Sequence, residues 1–327
     1  MQTGRVTPSS VWLLLISTIL SAPILSAAAL GQTELSAALT VTAVTPLEQA
    51  QWQYRGDKFA CSLRHPVADF GSYQLRHRAG GALQLQLQAD WLNQPEAQST
   101  LTLLVPDWQR PHQAPTTPYP LIWQGQRGYA NEAAPAALQA LLRGWSWQSQ
   151  IQARAGRYLV QAQNVQAKAA AQQFLACQQQ LLPRSFEQLR NLQLPMASAR
   201  FTLTAAQKIE VDAVAAYVNA DPKVARILID AHTDNRGDSL ENLVLSRARS
   251  DEVVSRLVAA GVSAHMIEAR GHGERYPIAS NRTADGRQRN RRVSIRLELE
   301  GQSLPQHQSS VDFNQTLPQP QALGAGQ

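Results

Sequence analysis

Apolar and polar residues alternate along Ala82-Leu83-Gln84-Leu85-Gln86-Leu87-Gln88 and again along Thr100-Leu101-Thr102-Leu103-Leu104-Val105. A period of two predicts half-buried β-strands. Gly80-Gly81 precedes the first run and Pro106 ends the second, so turn residues bracket both. Pro115, Pro118 and Pro120 crowd what reads as one irregular loop. A helix is predicted from Pro135 to Leu142, with Pro135 in its first turn. Arg157-Tyr158-Leu159-Val160 returns to strand, and a further helix is expected over Ala167 to Leu182, carrying Cys177. Residues 33–185 therefore read as a mainly-β domain with a few helices. Six of the seven tryptophans lie in it, as core filling or as a binding surface.

From residue 186 the pattern changes to strands interleaved with helices. Thr204 and Gln207 form a capping box before a helix that ends near Asn219, and Asp221-Pro222 follows as a turn. Val224 to Ala231 is an apolar strand. The next helix runs from about Ser239 to Ala260, where Gly261 stops it. Met266 to Ala269 reads as a short strand, and Val293 to Leu297 as the strand that closes the sheet at its edge. This is the signature of a two-layer α/β sandwich over residues 186–300. The fold class expected for the whole chain is α+β. Residues 301–327, rich in Gln, Pro and Ser, read as a disordered tail.

The first 29 residues carry a different signal. Arg5 supplies one positive charge, the run from Val11 to Leu20 is apolar, and Ser26-Ala27-Ala28-Ala29 offers a small-residue cleavage site. That is a secretory signal peptide, expected to be cut near Ala29. The alternative is an uncleaved N-terminal anchor. Pro23 and its neighbouring serines interrupt the apolar run short of the ~20 residues of a membrane span. No cysteine follows the cleavage site, which argues against a lipid anchor, and the mature chain is expected in the periplasm. Export alters the reading of the two cysteines, Cys61 and Cys177, because an oxidising compartment favours one bridge between them over two free thiols. It also removes nucleic acid as the partner for a net charge of +6, leaving anionic envelope surfaces or simple solvation.

The candidate chemistry is concentrated in Ala231-His232-Thr233-Asp234-Asn235-Arg236-Gly237, followed by Asn242, Leu245-Ser246 and Arg249. Asp234 falls just past an apolar strand, and Asn242 and Arg249, seven apart, share one face of the next helix. An acid at a strand end beside an arginine can hold a zwitterion, the carboxylate taking an ammonium and the guanidinium a carboxylate. An internal Asp–Arg pair with no ligand fits the same spacing.

Taken with Gly271-His272-Gly273-Glu274, Pro277, Ser280-Asn281, Gly286-Arg287 and Asn290-Arg291-Arg292-Val293, these residues resemble the OmpA-type C-terminal domain over about 100 residues. The resemblance implies peptidoglycan as the partner. Asp234 would meet the ammonium and Arg249 the carboxylate of diaminopimelate in the stem peptide, with Asn242 supporting both. It also implies that Thr233, Asn281, Asn290, Arg291 and Arg292 hold the pocket, its loop and the last strand together. Ser250 stands where the family usually has Ala, and His272 where it has Tyr. Met196 to Arg200 lacks the acid or amide that many members place in the pocket.

In the first domain, Gln51-Trp52, Asp57, Cys61-Ser62-Leu63, Asp69-Phe70-Gly71, Val105-Pro106-Asp107-Trp108, Phe174-Leu175-Ala176-Cys177, Leu181-Leu182-Pro183 and Phe186-Glu187 resemble the MotY family. That resemblance implies a non-catalytic periplasmic part of a sodium-driven flagellar motor. Its first domain would associate with the basal body and stator, in a ring or other oligomer, and its second would anchor to the wall. A general envelope tether with no motor role is the alternative. No cofactor and no metal are expected, since His232, Asp234, His265 and His272 match no ligand spacing. A wall hydrolase would pair Asp234 with Glu241 or Glu274, a grouping that any acidic surface offers.

Overall fold

The computed structural model describes residues 40–92, 98–109, 117–153 and 156–301. The expected signal peptide, Pro115 and the expected tail from residue 302 lie outside them. The first half contains eleven strands and two helices: β1 (Thr40–Val44), β2 (Gln53–Gly56), β3 (Ala60–Val67), β4 (Gly71–Arg78), β5 (Gln84–Gln88), β6 (Gln98–Leu104), β7 (Tyr119–Pro120), β8 (Ile122–Gln124), β9 (Arg127–Tyr129), α1 (Ala134–Leu142), β10 (Ser146–Ala153), β11 (Gly156–Ala162) and α2 (Ala167–Gln178). They form a five-stranded sheet in the order β1-β11-β10-β6-β7 and a six-stranded sheet in the order β2-β3-β4-β5-β9-β8.

One apolar core draws on both of these sheets and on α1 and α2. The alternation read from sequence supplies it directly, with Leu85 and Leu87 buried from β5, and Leu101 and Leu103 from β6. Trp147 and Trp52 meet edge to face at 4.9 Å, and the Tyr73 hydroxyl donates to the Val160 carbonyl at 2.8 Å, tying β4 to β11. Trp123 and Trp145 are also buried, whereas Trp91 and Trp108 are exposed. Cys61 on β3 and Cys177 on α2 are bonded to each other, with Cα atoms 6.1 Å apart. The helix carrying Cys177 ends at Gln178 rather than Leu182, because Pro183 disfavours helical backbone before it and the Leu182 amide donates instead to the Lys58 carbonyl at 2.9 Å. Pro120 is not in an irregular loop: it pairs with Thr100 in the short strand β7.

The second half comprises α3 (Phe186–Leu189), β12 (Asn191–Pro195), α4 (Ala205–Ala220), β13 (Val224–His232), α5 (Ser239–Ala259), β14 (Ile267–Gly271), α6 (Ala284–Asn290) and β15 (Arg292–Leu299). The Thr204–Gln207 capping box starts α4, and Gly261 adopts φ 91° after α5, a left-handed conformation that glycine reaches without strain. The sheet order is β12-β15-β13-β14. The strand from Val293 to Leu297 is therefore an inner strand, not the edge expected from sequence. The edge on that side is β12, whose residues Asn191 to Pro195 pair antiparallel with β15, and β14 is the edge on the other. The strand read at Met266 to Ala269 begins one residue later, after a tight turn at Ala264–Met266.

A second apolar core lies between this sheet and its helices, and it recruits Phe59, Ala79 and Leu182 from the preceding chain. Tyr217 of α4 packs against Phe59 at 5.4 Å and Phe186 at 5.9 Å. Gln188 donates to the Gly80 carbonyl at 3.0 Å, and Arg184 pairs with Glu210.

Candidate ligand-binding site

β13 delivers Asp234 just past its last residue, and Asp238 starts α5 by accepting from the Leu240 and Glu241 amides at 2.8 and 3.2 Å. The intervening loop is held by Asn242, which donates to the Arg236 carbonyl at 3.1 Å and to Glu274 Oε2 at 2.9 Å. Gly271 lets β14 approach α5 closely, for a Cβ there would stand 2.6 Å from the Arg247 nitrogen. Asn242 and Arg249 both point inward and are buried.

Three charges meet at this end of the sheet. Asp234 Oδ1 accepts from the Arg236 amide at 3.2 Å, and Oδ2 accepts from Arg291 Nη1 at 2.6 Å. Arg249 donates to three backbone carbonyls: Ala197 at 2.9 Å, Arg200 at 2.9 Å and His232 at 2.8 Å. The loop at 196–200, which lacks an acid or amide, thus contributes carbonyl oxygens. Arg249 is fully enclosed; burial, followed by the positive charge of Arg291, pushes its pKa down to about 10, while Asp234 opposes the shift.

Beside this cluster the His232 ring stacks on His272 with centroids 4.9 Å apart, and His272 Nε2 lies 2.7 Å from Asp230 Oδ1. Burial, then the charges of Arg292 and His272, lower the His232 pKa to about 4. The Thr233 amide donates to the Gly273 carbonyl at 2.9 Å, fastening the strand end to the loop after β14.

Asn281, Asn290 and Arg292 lie behind the pocket. Asn290 accepts from the Ile278 and Ala279 amides, each at 2.9 Å, and donates to Ala279 O and Asn281 Oδ1 at 2.8 and 2.7 Å. Arg292 donates to the Asn290 and Tyr276 carbonyls, both at 3.3 Å. Sequence reasoning grouped Arg291 with these residues and missed its approach to Asp234. The available signal was the side-to-side alternation of successive residues where a strand begins, which sends Arg291 and Arg292 opposite ways. Among the described residues no three His, Cys, Asp or Glu side chains are arranged to hold a metal ion.

Residues 44–183 match the family model of the MotY N-terminal domain, and residues 197–291 match that of the OmpA family. The sodium-type flagellar protein MotY of Vibrio parahaemolyticus is 26% identical over 262 residues, covering 76% of this chain and 88% of that protein. The probable lipoprotein YiaD of Escherichia coli is 40% identical over 100 residues, covering 31% of this chain and 45% of that protein. Among solved structures, the cell wall anchor of the T6SS from Pseudomonas aeruginosa aligns with 31% identity and a TM-score of 0.30, over 34% of this chain and 81% of that one. Other relatives it matches include the peptidoglycan-binding protein ArfA of Mycobacterium bovis and outer membrane protein A of Bordetella avium.

Proposed function

We propose that this chain, which belongs with MotY through its N-terminal domain and with the OmpA family through its second domain, is a non-catalytic flagellar motor component anchored to peptidoglycan. In this reading it works in the periplasm after removal of residues 1–29. Residues 33–185 associate with the basal body and stator, and residues 186–300 grip the wall.

The observation that carries the wall-binding half is a nearly buried carboxylate, Asp234, set beside two guanidiniums at the rim of the sheet. A diaminopimelate side chain carries an ammonium and a carboxylate on one carbon, and its charges complement that arrangement. Asp234 takes the ammonium, for which two of a carboxylate's roughly four acceptor positions remain. Arg249 provides positive charge on the carboxylate side, while Asn242 holds the loop between them. A stator has to react torque against something rigid, and the wall is the rigid layer. Single contacts of moderate strength suffice when several copies are linked in a ring, because each bound copy raises the effective concentration of the next.

A general envelope tether would share the second domain, so the MotY match over residues 44–183 favours the motor. The test is a strain whose only copy carries Asp234→Ala. Expected are stable protein, loss of co-sedimentation with purified peptidoglycan, and loss of swimming. Retained sedimentation removes the pocket assignment. Lost sedimentation with normal swimming favours the tether.

A further inference from the structure

We infer that the outer face of the six-stranded sheet is a docking surface for a protein partner that presents carboxylates. This rests on the motor reading of the first half and supplies the surface and the chemistry it would use. Side chains alternate between the two faces of a strand. Leu63, Leu75, Leu85 and Leu87 turn inward to the core, so Arg55, Arg64, Arg76, Arg78 and Arg127 turn the other way. Strand pairing gathers them. Ser62 faces Arg55 on one side and Arg76 on the other, Gln74 lies between Arg64 and Gln86, and Arg127 faces Gln88. Arg76 is half-buried and the other four are exposed.

No strand of this sheet contains an acidic residue. In the flanking turns, Asp57 accepts from the Phe59 and Ala60 amides at 2.7 and 2.8 Å, and Asp90 from Gln88 Nε2 at 2.6 Å. Asp69 sits in the β3–β4 turn, at the opposite end of β4 from Arg76 and Arg78. Every ion pair between described residues lies beyond residue 183, from Arg184–Glu210 onwards. The five arginines are therefore uncompensated. Burial, then the charges of Arg78 and Arg127, push the Arg76 pKa down, while Tyr129 opposes the shift. Like charges gathered without a counter-charge cost stability, so packing gives no reason for them. A partner's carboxylate can take each guanidinium through two parallel hydrogen bonds. At the β8 margin the same face opens into a cleft of about 410 Å³ lined by Gln84, Pro120, Ile122, Gln124, Tyr129 and Glu132, in which Ile122 is 63% exposed. Arginine and tyrosine around an apolar anchor are the composition of a protein interface. A second copy of the chain carries the same net charge of +6 and would be repelled.

The experiment follows co-sedimentation of the full-length mature protein with purified basal bodies from a strain that lacks it. Wild type is expected to bind at low ionic strength and to weaken steadily as salt is added, since contacts between exposed charges are screened. Arg78→Gln with Arg127→Gln should bind at least about tenfold more weakly, the loss of one charge-assisted hydrogen bond. Arg55→Gln with Arg64→Gln tests the other end of the face, so a folding defect in one pair leaves the other to decide. Wild-type affinity in a pair that melts normally overturns the inference. Capping the basal-body carboxylates with carbodiimide and glycinamide should abolish wild-type binding, and undiminished binding overturns the carboxylate partner. Equal affinity for phosphatidylglycerol vesicles, lost in the same variants, would assign the face to lipid instead and overturn it too. If wild type does not sediment with untreated basal bodies, the motor reading itself fails, and this inference with it.

Discussion

Replacing Arg249 by alanine should cost stability as well as binding. The side chain spans three segments through hydrogen bonds of 2.8–2.9 Å to Ala197, Arg200 and His232. Bonds from a charged donor contribute roughly 1.5–3 kcal/mol each, which sets a ceiling of about 4.5–9 kcal/mol for three. Two effects lower it. Ala197 and Arg200 are exposed, so their carbonyls regain water when the guanidinium is gone. Removing a buried cation also recovers part of its desolvation cost. The carbonyl of buried His232 has no such escape and contributes ~1–3 kcal/mol. The expected loss is about 3–5 kcal/mol, a large share of the 5–15 kcal/mol typical of a folded protein. Urea unfolding followed by circular dichroism at 222 nm reads it, since α4 and α5 are the two longest helices described while every described tryptophan precedes residue 148. Arg249→Lys keeps the charge without the span of three donors and should fall between alanine and wild type. A loss below about 1 kcal/mol for alanine, with an unchanged slope against urea, would refute the positioning role.

Two further outcomes follow from buried groups. The Cys61–Cys177 bridge closes a loop with a sequence separation of 116, worth about 5 kcal/mol in the chain-entropy model. Reduction should therefore lower the denaturation midpoint of the first half sharply by tryptophan fluorescence. Equal midpoints after confirmed thiol release would contradict this. Burial lowers His65 and His232 to about 4, the Gln51 carbonyl opposing the shift at His65. Both folded values lie below the unfolded 6.5, so the unfolded chain takes up protons first as pH falls. Stability is then full above pH 6.5 and declines towards pH 4, by up to about 1.4 kcal/mol per pH unit per histidine. Unfolding curves at pH 7.5 and 5 that coincide would show that neither ring is held neutral.

What was legible in the sequence was whatever local pattern decides. The Thr204–Gln207 box, the stop at Gly261 and the alternating runs of β5 and β6 are set by a few neighbouring residues, and each element formed within a residue or two of its expected place. β12 was not legible, because Asn191 to Pro195 is short and ends in proline; pairing with β15, a hundred residues away, makes it a strand. α6 has no apolar stripe at all. Its buried residues are Gly286 and Asn290, and it begins where Thr283 accepts from the Gly286 amide. At the pocket, Asp234, Asn242 and Arg249 were readable from spacing along one strand and one helix. Alternation at the start of β15 turns Arg291 away from Arg292, but that this side meets Asp234 depends on the register of β15 against β13, where His232 faces Arg292, and that register is not written locally.

The sharing of Phe59, Ala79 and Leu182 with the second core gives the molecule a fixed internal dimension. To swing the halves apart, water would have to reach the contact of Tyr217 with Phe59 and Phe186, and the bonds from Gln188 to Gly80 and from Leu182 to Lys58 would have to break. The Cys61–Cys177 bridge lies a few residues from that joint on both strands of the chain. The distance from the bridged sheet to Asp234 is therefore set by packed side chains, as in a rigid gauge. A partner held by the first sheet and a ligand held by the pocket would be spaced by the protein itself, not by a tether of adjustable length.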